Sequence, residues 1–201
     1  MEINMVIGLM GAAGSGKDTV ADYLVSTYGF KRHAFADLLY EEVSAAFDVP
    51  VKRLMQRDTK EQPMRALRLS RCHEAGFTAF LMVNEAPMLN ETFSPRHILQ
   101  QWGDYRRTKK PNYFIEPVID ALSAEPGKHV VSDVRFPNER EALIKLNASF
   151  WRIERPGIGY ASKHASETAL ANAHVDKTIP NHGSLQELQR AIDGKLFTKV
   201  A

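Results

Sequence analysis

The nine residues Gly11-Ala12-Ala13-Gly14-Ser15-Gly16-Lys17-Asp18-Thr19 constrain this chain more than any other stretch. An apolar run, Ile3 to Met10, leads into them, and an amphipathic run, Val20 to Tyr28, leads out. That order predicts a strand, a glycine-rich turn and a helix. Gly11, four residues, then Gly16-Lys17 is the spacing of the phosphate-binding P-loop. Backbone N–H groups must close on phosphate oxygens there, and side chains would obstruct them, so glycine recurs at 11, 14 and 16. The helix N-terminus adds donors and partial positive charge. Lys17 reaches the β- and γ-phosphates of a bound nucleotide. The hydroxyl residue usual after Gly-Lys is replaced by Asp18, with Thr19 next. A carboxylate is a hard oxygen ligand or a base, so the replacement alters the site without removing it.

A chain of 201 residues suits one α/β domain with a small insertion. Its net charge of +2 gives no reason to expect a nucleic-acid polymer as partner. The charge is unevenly placed. Lys52 to Lys110 holds 12 Lys+Arg and 6 Asp+Glu, a basic segment that suits a small anionic substrate. A single cysteine, Cys72, excludes an internal disulfide and a cysteine-based zinc site. It fits a reducing cytoplasm. The apolar start is too short for a membrane span and is accounted for by the first strand.

Along the chain, Lys31–Ala36 reads as a second strand with Asp37 at its mouth, then a helix through Phe47. Residues 50–92, rich in Arg and Met, read as short helices and loops. Ser94-Pro95 opens a helix as N-cap and first helical residue. On it Arg96, Gln100, Gly103 and Arg107 share one stripe, beside the apolar Ile98, Leu99 and Trp102. Two guanidiniums, an amide and a gap can grip a phosphate and read a base edge. The same stripe also suits a plain exposed face, although Gly103 inside a helix costs about 1 kcal/mol and wants a reason. Asn112–Ser123 reads as a helix, and His129–Val134 as a buried strand. Asp133 at its carboxyl end would face Mg²⁺ and phosphates, with Arg135 pointing into the same crevice. Glu139, in the first turn of the helix opened by Pro137, suits the helix dipole and ligand contact equally.

Ser149–Glu154 is a further strand. The segment from Arg155 to His164, with Gly157 and Gly159, reads as a loop whose Arg155, Lys163 and His164 can close over a triphosphate. A short helix begins at Ser166-Glu167, and Lys177–Pro180 is the last strand. Ser184 and Glu187 make a capping box. Leu185, Leu188 and Ile192 line the core face of a final helix ended by Gly194. Alternating strands and helices, with an insertion after the second strand, give a parallel sheet covered on both faces.

With these pieces in place, the chain resembles the phage deoxynucleoside monophosphate kinase family of P-loop kinases, nearly end to end. That family's loop also reads Gly-Ser-Gly-Lys-Asp-Thr, as Gly14–Thr19 does here. Residues 95–103 are similar to its Arg-x-x-x-Gln-x-x-Gly substrate helix, and 132–139 to its Asp-x-Arg-Phe-x-Asn-Glu signature. Residues 164–168 and 179–185 are similar to its lid and C-terminal segments. The resemblance implies a three-layer α/β/α P-loop NTPase fold with a five-stranded parallel sheet in the order 2-3-1-4-5. It implies one domain over residues 1–201, with an acceptor-binding helical region over 48–125 and a lid over 155–168. It implies that Ser15, Lys17, Asp18 and Thr19 serve phosphoryl transfer. Arg96, Gln100, Gly103, Asp133, Arg135 and Glu139 would hold a deoxynucleotide. His97, Asp104 and Phe114 stand where the family often has other residues, and bear on base and sugar selectivity.

The expected activity is transfer of the γ-phosphate of ATP to a deoxynucleoside 5′-monophosphate. Gly11, Gly14, Ser15, Gly16, Lys17, Thr19 and Arg155 would bind ATP. Mg²⁺ would be held by Asp18 or Thr19 and, through water, by Asp133. Arg96 and Arg135 would hold the acceptor phosphate, and Asp37 is either a further acceptor contact or a simple helix cap. ATP and the monophosphate are the expected partners, with no membrane and no nucleic-acid polymer. A homodimer is compatible, and the compartment would be the cytoplasm, the host's for a phage protein. Two other readings stay open: a P-loop kinase of the dephospho-CoA or phosphomevalonate type, and a regulatory protein that binds ATP without phosphorylating anything. The Asn-Lys-x-Asp guanine signature of signalling GTPases does not occur.

Overall fold

The strand that feeds the glycine-rich turn has two apolar faces. In β1 (Met5–Met10), Ile7 and Leu9 enter one cluster of buried side chains, and Val6 and Met10 enter another. This is the strand period of two, with apolar residues on both sides. The computed structural model describes residues 5–158 and 168–196, and its neighbouring strands extend the pattern. β2 (Lys31–His33), β5 (Lys128–Val131), β1, β6 (Ser149–Glu154) and β7 (Lys177–Pro180) lie side by side in that order, all parallel. Ile7 lies opposite Val130, Leu9 opposite Trp151, and Ile153 opposite Ile179.

Helices cover both faces. α1 (Lys17–Tyr28) and α8 (Leu185–Leu196) close the first through Val20, Leu24, Leu188 and Ile192. α6 (Ile115–Ala124) and α7 (Pro137–Ile144) close the second through Ile115, Leu122 and Leu143. The result is a three-layer α/β/α unit.

The chain divides into two compact units, Met1–Phe35 with Ile115–Ala201, and Ala36–Phe114. The second is built from α2 (Ala36–Phe47), α3 (Val51–Leu54), β3 (Met64–Arg68), a 3₁₀ turn at Leu69–Arg71, α4 (Ala75–Glu85), β4 (Thr92–Phe93) and α5 (Pro95–Lys109). β3 and β4 pair antiparallel. The core of this unit is aromatic: Phe77 lies 4.6 Å from Trp102 and 5.8 Å from Tyr105, centroid to centroid. Such offset and edge contacts are the arrangements aromatic quadrupoles favour.

Several boundaries differ from the sequence expectation. The β3–β4 pair was not anticipated, and it shifts the strand numbering. With it set aside, the parallel strands run 2-3-1-4-5 in chain order. The compact unit is Ala36–Phe114, where 48–125 was expected for the insertion. Val43, Ala46 and Phe47 of α2 share the core of α5, whereas Ile115 and Leu122 of α6 belong to the sheet. β2 stops at His33 and β5 at Val131. The helix expected from Asn112 starts at Ile115. Leu185 is exposed, and α8 runs through Gly194 to Leu196. Nothing lies within 4 Å of a Cβ at Gly194, so glycine there meets no packing demand.

Candidate functional site

The turn from β1 into α1 requires backbone angles that side chains disfavour. Gly11 has φ +138° and Gly16 φ +108°. Space is short as well. A Cβ at Gly11 would lie 2.6 Å from the Ile153 carbonyl oxygen, and one at Gly16 2.4 Å from Asn181 Nδ2. The Ser15 N–H donates to the Ala12 carbonyl at 3.2 Å. α1 begins after Gly16 with no side-chain cap, so its first-turn N–H groups face the loop as at an anion-binding helix start. Lys17 is buried, and its Nζ donates to the carbonyls of Gly11 at 2.7 Å and Ala12 at 2.9 Å. Ser15 is buried too, and its Oγ has no hydrogen-bond partner among the described residues. A buried hydroxyl of this kind fits a site built for a ligand's oxygens.

A cavity of about 550 Å³ opens beside the loop, lined by Gly11, Ala12, Ser15, Arg152, Arg155 and His182 among others. That is nucleotide-sized. Arg155 Nη1 reaches the Gly14 carbonyl at 3.4 Å. Arg152 Nη2 donates to the carbonyls of Leu170 at 3.3 Å and Ala173 at 2.6 Å. Lys163, His164 and the helix start at Ser166-Glu167 lie outside the described residues, as does most of the expected lid.

Asp18 and Thr19 are exposed in the first turn of α1. The Asp18 carboxylate accepts from Arg32 Nη2 at 2.7 Å, and Arg32 Nη1 donates to Asp22 at 2.7 Å. Asp133 sits two residues past the end of β5, beside β1, at the crevice that open α/β sheets offer to ligands. Its Oδ1 accepts the Phe35 N–H at 2.8 Å. Glu139 is buried, and its Oε2 accepts the N–H groups of Arg135 at 2.7 Å and Phe136 at 3.0 Å. The helix-start role is thus the one the geometry displays, and it fixes the turn that carries Arg135.

Beneath this crevice two imidazoles meet. His129 Nε2 donates to the Glu125 carbonyl at 2.7 Å, so its Nδ1 accepts from His33 Nε2 at 3.0 Å. Burial, and next the His129 ring, hold the His33 pKa below the usual imidazole range. The His33 carbonyl accepts the Ser132 N–H at 3.0 Å, one residue before Asp133.

In the second unit, α5 starts as its sequence predicts: Ser94 Oγ accepts the His97 N–H at 3.2 Å and Pro95 is first in the helix. Ile98, Leu99, Trp102 and Tyr105 are buried. Glu42 ties this face down, accepting from Trp102 Nε1 at 2.7 Å, Arg106 Nε at 2.9 Å and Tyr113 Oη at 2.5 Å. Arg96 pairs with Glu61, and its N–H donates to the Lys60 carbonyl at 2.9 Å. Gln100 is half-buried on the same stripe. Gly103 leaves no open gap, because the Arg107 guanidinium lies over it.

His97 lies off that stripe. Its ring stacks on Phe93, and its Nε2 meets Glu85 at 2.9 Å. Asp104 lies 3.7 Å from Arg107, and Phe114 is a buried core residue under the same guanidinium. Asp37 is exposed in the first turn of α2, where a carboxylate favours the helix dipole.

Sequence reasoning misses Arg32, Glu61 and Asn181. The first two are long-range partners with no local signal. Asn181 stands one residue past the carboxyl end of β7, a position that the rule for ligand sites in parallel sheets could have flagged.

A parallel α/β/α sheet with a P-loop and buried lysine after its central strand defines a P-loop kinase fold. The crystal structure of TT1252 from Thermus thermophilus shares that fold, with a TM-score of 0.50, 18% identity, and 98% of this chain and 99% of that one covered. The deoxynucleotide monophosphate kinase family matches residues 88–192, just over half of the 201 residues. The chain belongs to that family. A protein of Acanthamoeba polyphaga mimivirus, provisionally named a deoxynucleotide monophosphate kinase, is 27% identical over 196 residues, covering 94% of each chain. The deoxynucleoside-5'-monophosphate kinase of Escherichia phage T5 is 28% identical over 184 residues, 72% of this chain and 74% of that one.

Proposed function

We propose that this protein transfers the γ-phosphate of ATP to a deoxynucleoside 5′-monophosphate, giving the diphosphate, in the supply of precursors for DNA synthesis. The observation that carries the reading is the buried Lys17 ammonium set against the Gly11–Gly16 loop, beside a nucleotide-sized cavity. Gly11, Gly14, Ser15, Gly16, Lys17 and Thr19 bind the donor phosphates. Arg155, already at the Gly14 carbonyl, flanks the transferring group together with Arg135. Phosphoryl transfer has a loose transition state that asks for alignment and charge neutralisation rather than covalent chemistry. The acceptor phosphate is ionised near neutral pH, so no strong general base is needed.

Asp18 and Thr19, with Asp133, would hold Mg²⁺. Among the described residues no cluster of three or more His, Cys, Asp or Glu could cage a metal. Mg²⁺ favours one or two carboxylates with phosphate oxygens and water, so this donor set fits it. When bound, the ion neutralises charge across the β- and γ-phosphates. In the second unit, the α5 stripe of Arg96, Gln100 and Arg107 supplies acceptor recognition, by guanidinium grip on phosphate and donor readout of a base. A half-buried thiol at Cys72, whose pKa burial pushes up, suits a reducing cytoplasm.

A coupled ADP-release assay with ATP, Mg²⁺ and each of dAMP, dCMP, dGMP, dTMP and dUMP, beside the ribonucleotides, tests this reading. Stimulation by at least one deoxynucleotide is expected, and silence from all of them would sink it. Stimulation by dephospho-CoA or phosphomevalonate instead would favour the other small-molecule kinases.

A further inference from the structure

We propose that Asn181 is a positioning residue of the phosphate-binding loop, locking the Ser15–Gly16 peptide so that its N–H faces the donor phosphates. The inference rests on the reading of the loop as an ATP site. Asn181 is anchored by its own backbone, whose N–H donates to the Glu154 carbonyl at 2.7 Å and so carries the β6–β7 pairing one residue past Pro180. From there Nδ2 donates to the Ser15 carbonyl at 2.7 Å. The alternative amide orientation would set Oδ1 against a carbonyl oxygen, so the donor assignment follows from the partner.

In a planar trans peptide the C=O and N–H point in opposite directions. A Ser15 carbonyl held toward Asn181 therefore sends the Gly16 N–H away from it. Without that bond the peptide has little to fix it. Its rotation depends on ψ of Ser15 and φ of Gly16, and Gly16 sits at φ +108°, where glycine moves between backbone states at small cost. A flipped peptide would turn a carbonyl oxygen toward the anion, where a donor is needed. The same contact explains why position 16 carries no side chain, since a Cβ there would meet Nδ2 at 2.4 Å.

The test uses the full chain with Asn181→Ala and the isosteric Asn181→Asp. Four quantities are read: KM for ATP, KM for the deoxynucleotide, the inhibition constant of inorganic tripolyphosphate against ATP, and the melting midpoint with and without tripolyphosphate. Losing one hydrogen bond to a buried carbonyl should raise KM for ATP and the tripolyphosphate constant together by about tenfold, with KM for the acceptor within about twofold. Asn181→Asp should be the worse of the two, because it adds a negative charge near the phosphates. Unchanged KM for ATP in both variants would overturn the proposal. So would a rise in KM for ATP with an unchanged tripolyphosphate constant, which would put Asn181 against the nucleoside. A lowered melting midpoint with equal losses in every constant would mean a purely structural role. Failure of the unmodified protein to be stabilised by either ATP or tripolyphosphate would instead refute the ATP site itself.

Discussion

Arg107 occupies the space that Gly103 leaves on α5. A Cβ at position 103 would lie 2.5 Å from Arg107 Nη1, and the same guanidinium stacks 5.2 Å over the Phe114 ring. Glycine in mid-helix is thereby given a reason: it seats an arginine on the stripe that also carries Arg96 and Gln100. Gly103→Ala should gain up to about 1 kcal/mol of helix propensity while displacing the guanidinium. The expected outcome is a melting midpoint that does not fall, an unchanged KM for ATP and a KM for the deoxynucleotide raised about fivefold or more. Unchanged acceptor kinetics would confine the Arg107 seat to structure.

Asp18 is the residue that sets this loop apart from the usual sequence, and Arg32 orients it from β2. The pair is exposed, so neutralising it in Asp18→Asn should hardly move the melting midpoint. Turnover should fall, and the Mg²⁺ concentration for half-maximal rate should rise about tenfold if the carboxylate serves the ion. A Mg²⁺ titration of the variant at saturating substrates decides it. An unchanged titration would leave the metal to Thr19 and Asp133.

The His33–His129 pair gives an acid dependence whose sign is fixed. Burial, then the His129 ring, depress the His33 pKa. In acid the unfolded chain therefore binds a proton that the folded chain resists. This contribution is complete above the ordinary imidazole pKa, about 6.5, and is lost as pH falls below it. Lys31 adds to the depression and Glu125 opposes it. Melting midpoints at pH 7.5 and 5.5 should show a smaller acid loss for His33→Asn than for the unmodified protein. An equal loss in both would remove His33 from the account.

Much of the architecture was legible because its signals are local. The P-loop is a spacing, Ser94-Pro95 and the Ser184–Glu187 box are caps, and β6 carries Phe150, Trp151 and Ile153 ahead of the breakers Pro156 and Gly157. Glu187 does accept the Ser184 N–H and hydroxyl, and its own N–H donates back to Ser184 Oγ. What escaped is what depends on partners far along the chain. β4 is only Thr92–Phe93, too short to carry a pattern, and exists by pairing with β3. The division at Ala36 and Ile115 is a choice between cores, and no residue at either point announces it. Among the candidate site residues, the positions of Lys17 and Asp133 could be read from motif and strand end. The burial of Phe114 in the core and the turn of His97 to Phe93 and Glu85 could not be placed, because only packing shows them.

The two sides of α5 separate two kinds of obligation. Ile98, Leu99, Trp102 and Tyr105, held by the Glu42 hub, carry the fold of the second unit. Arg96, Gln100 and Arg107 stand outside that core. On the proposed reading of α5, exchange of the outer residues alone would change acceptor preference, without the chain first having to become less stable. The inner face is the place where such exchange is closed.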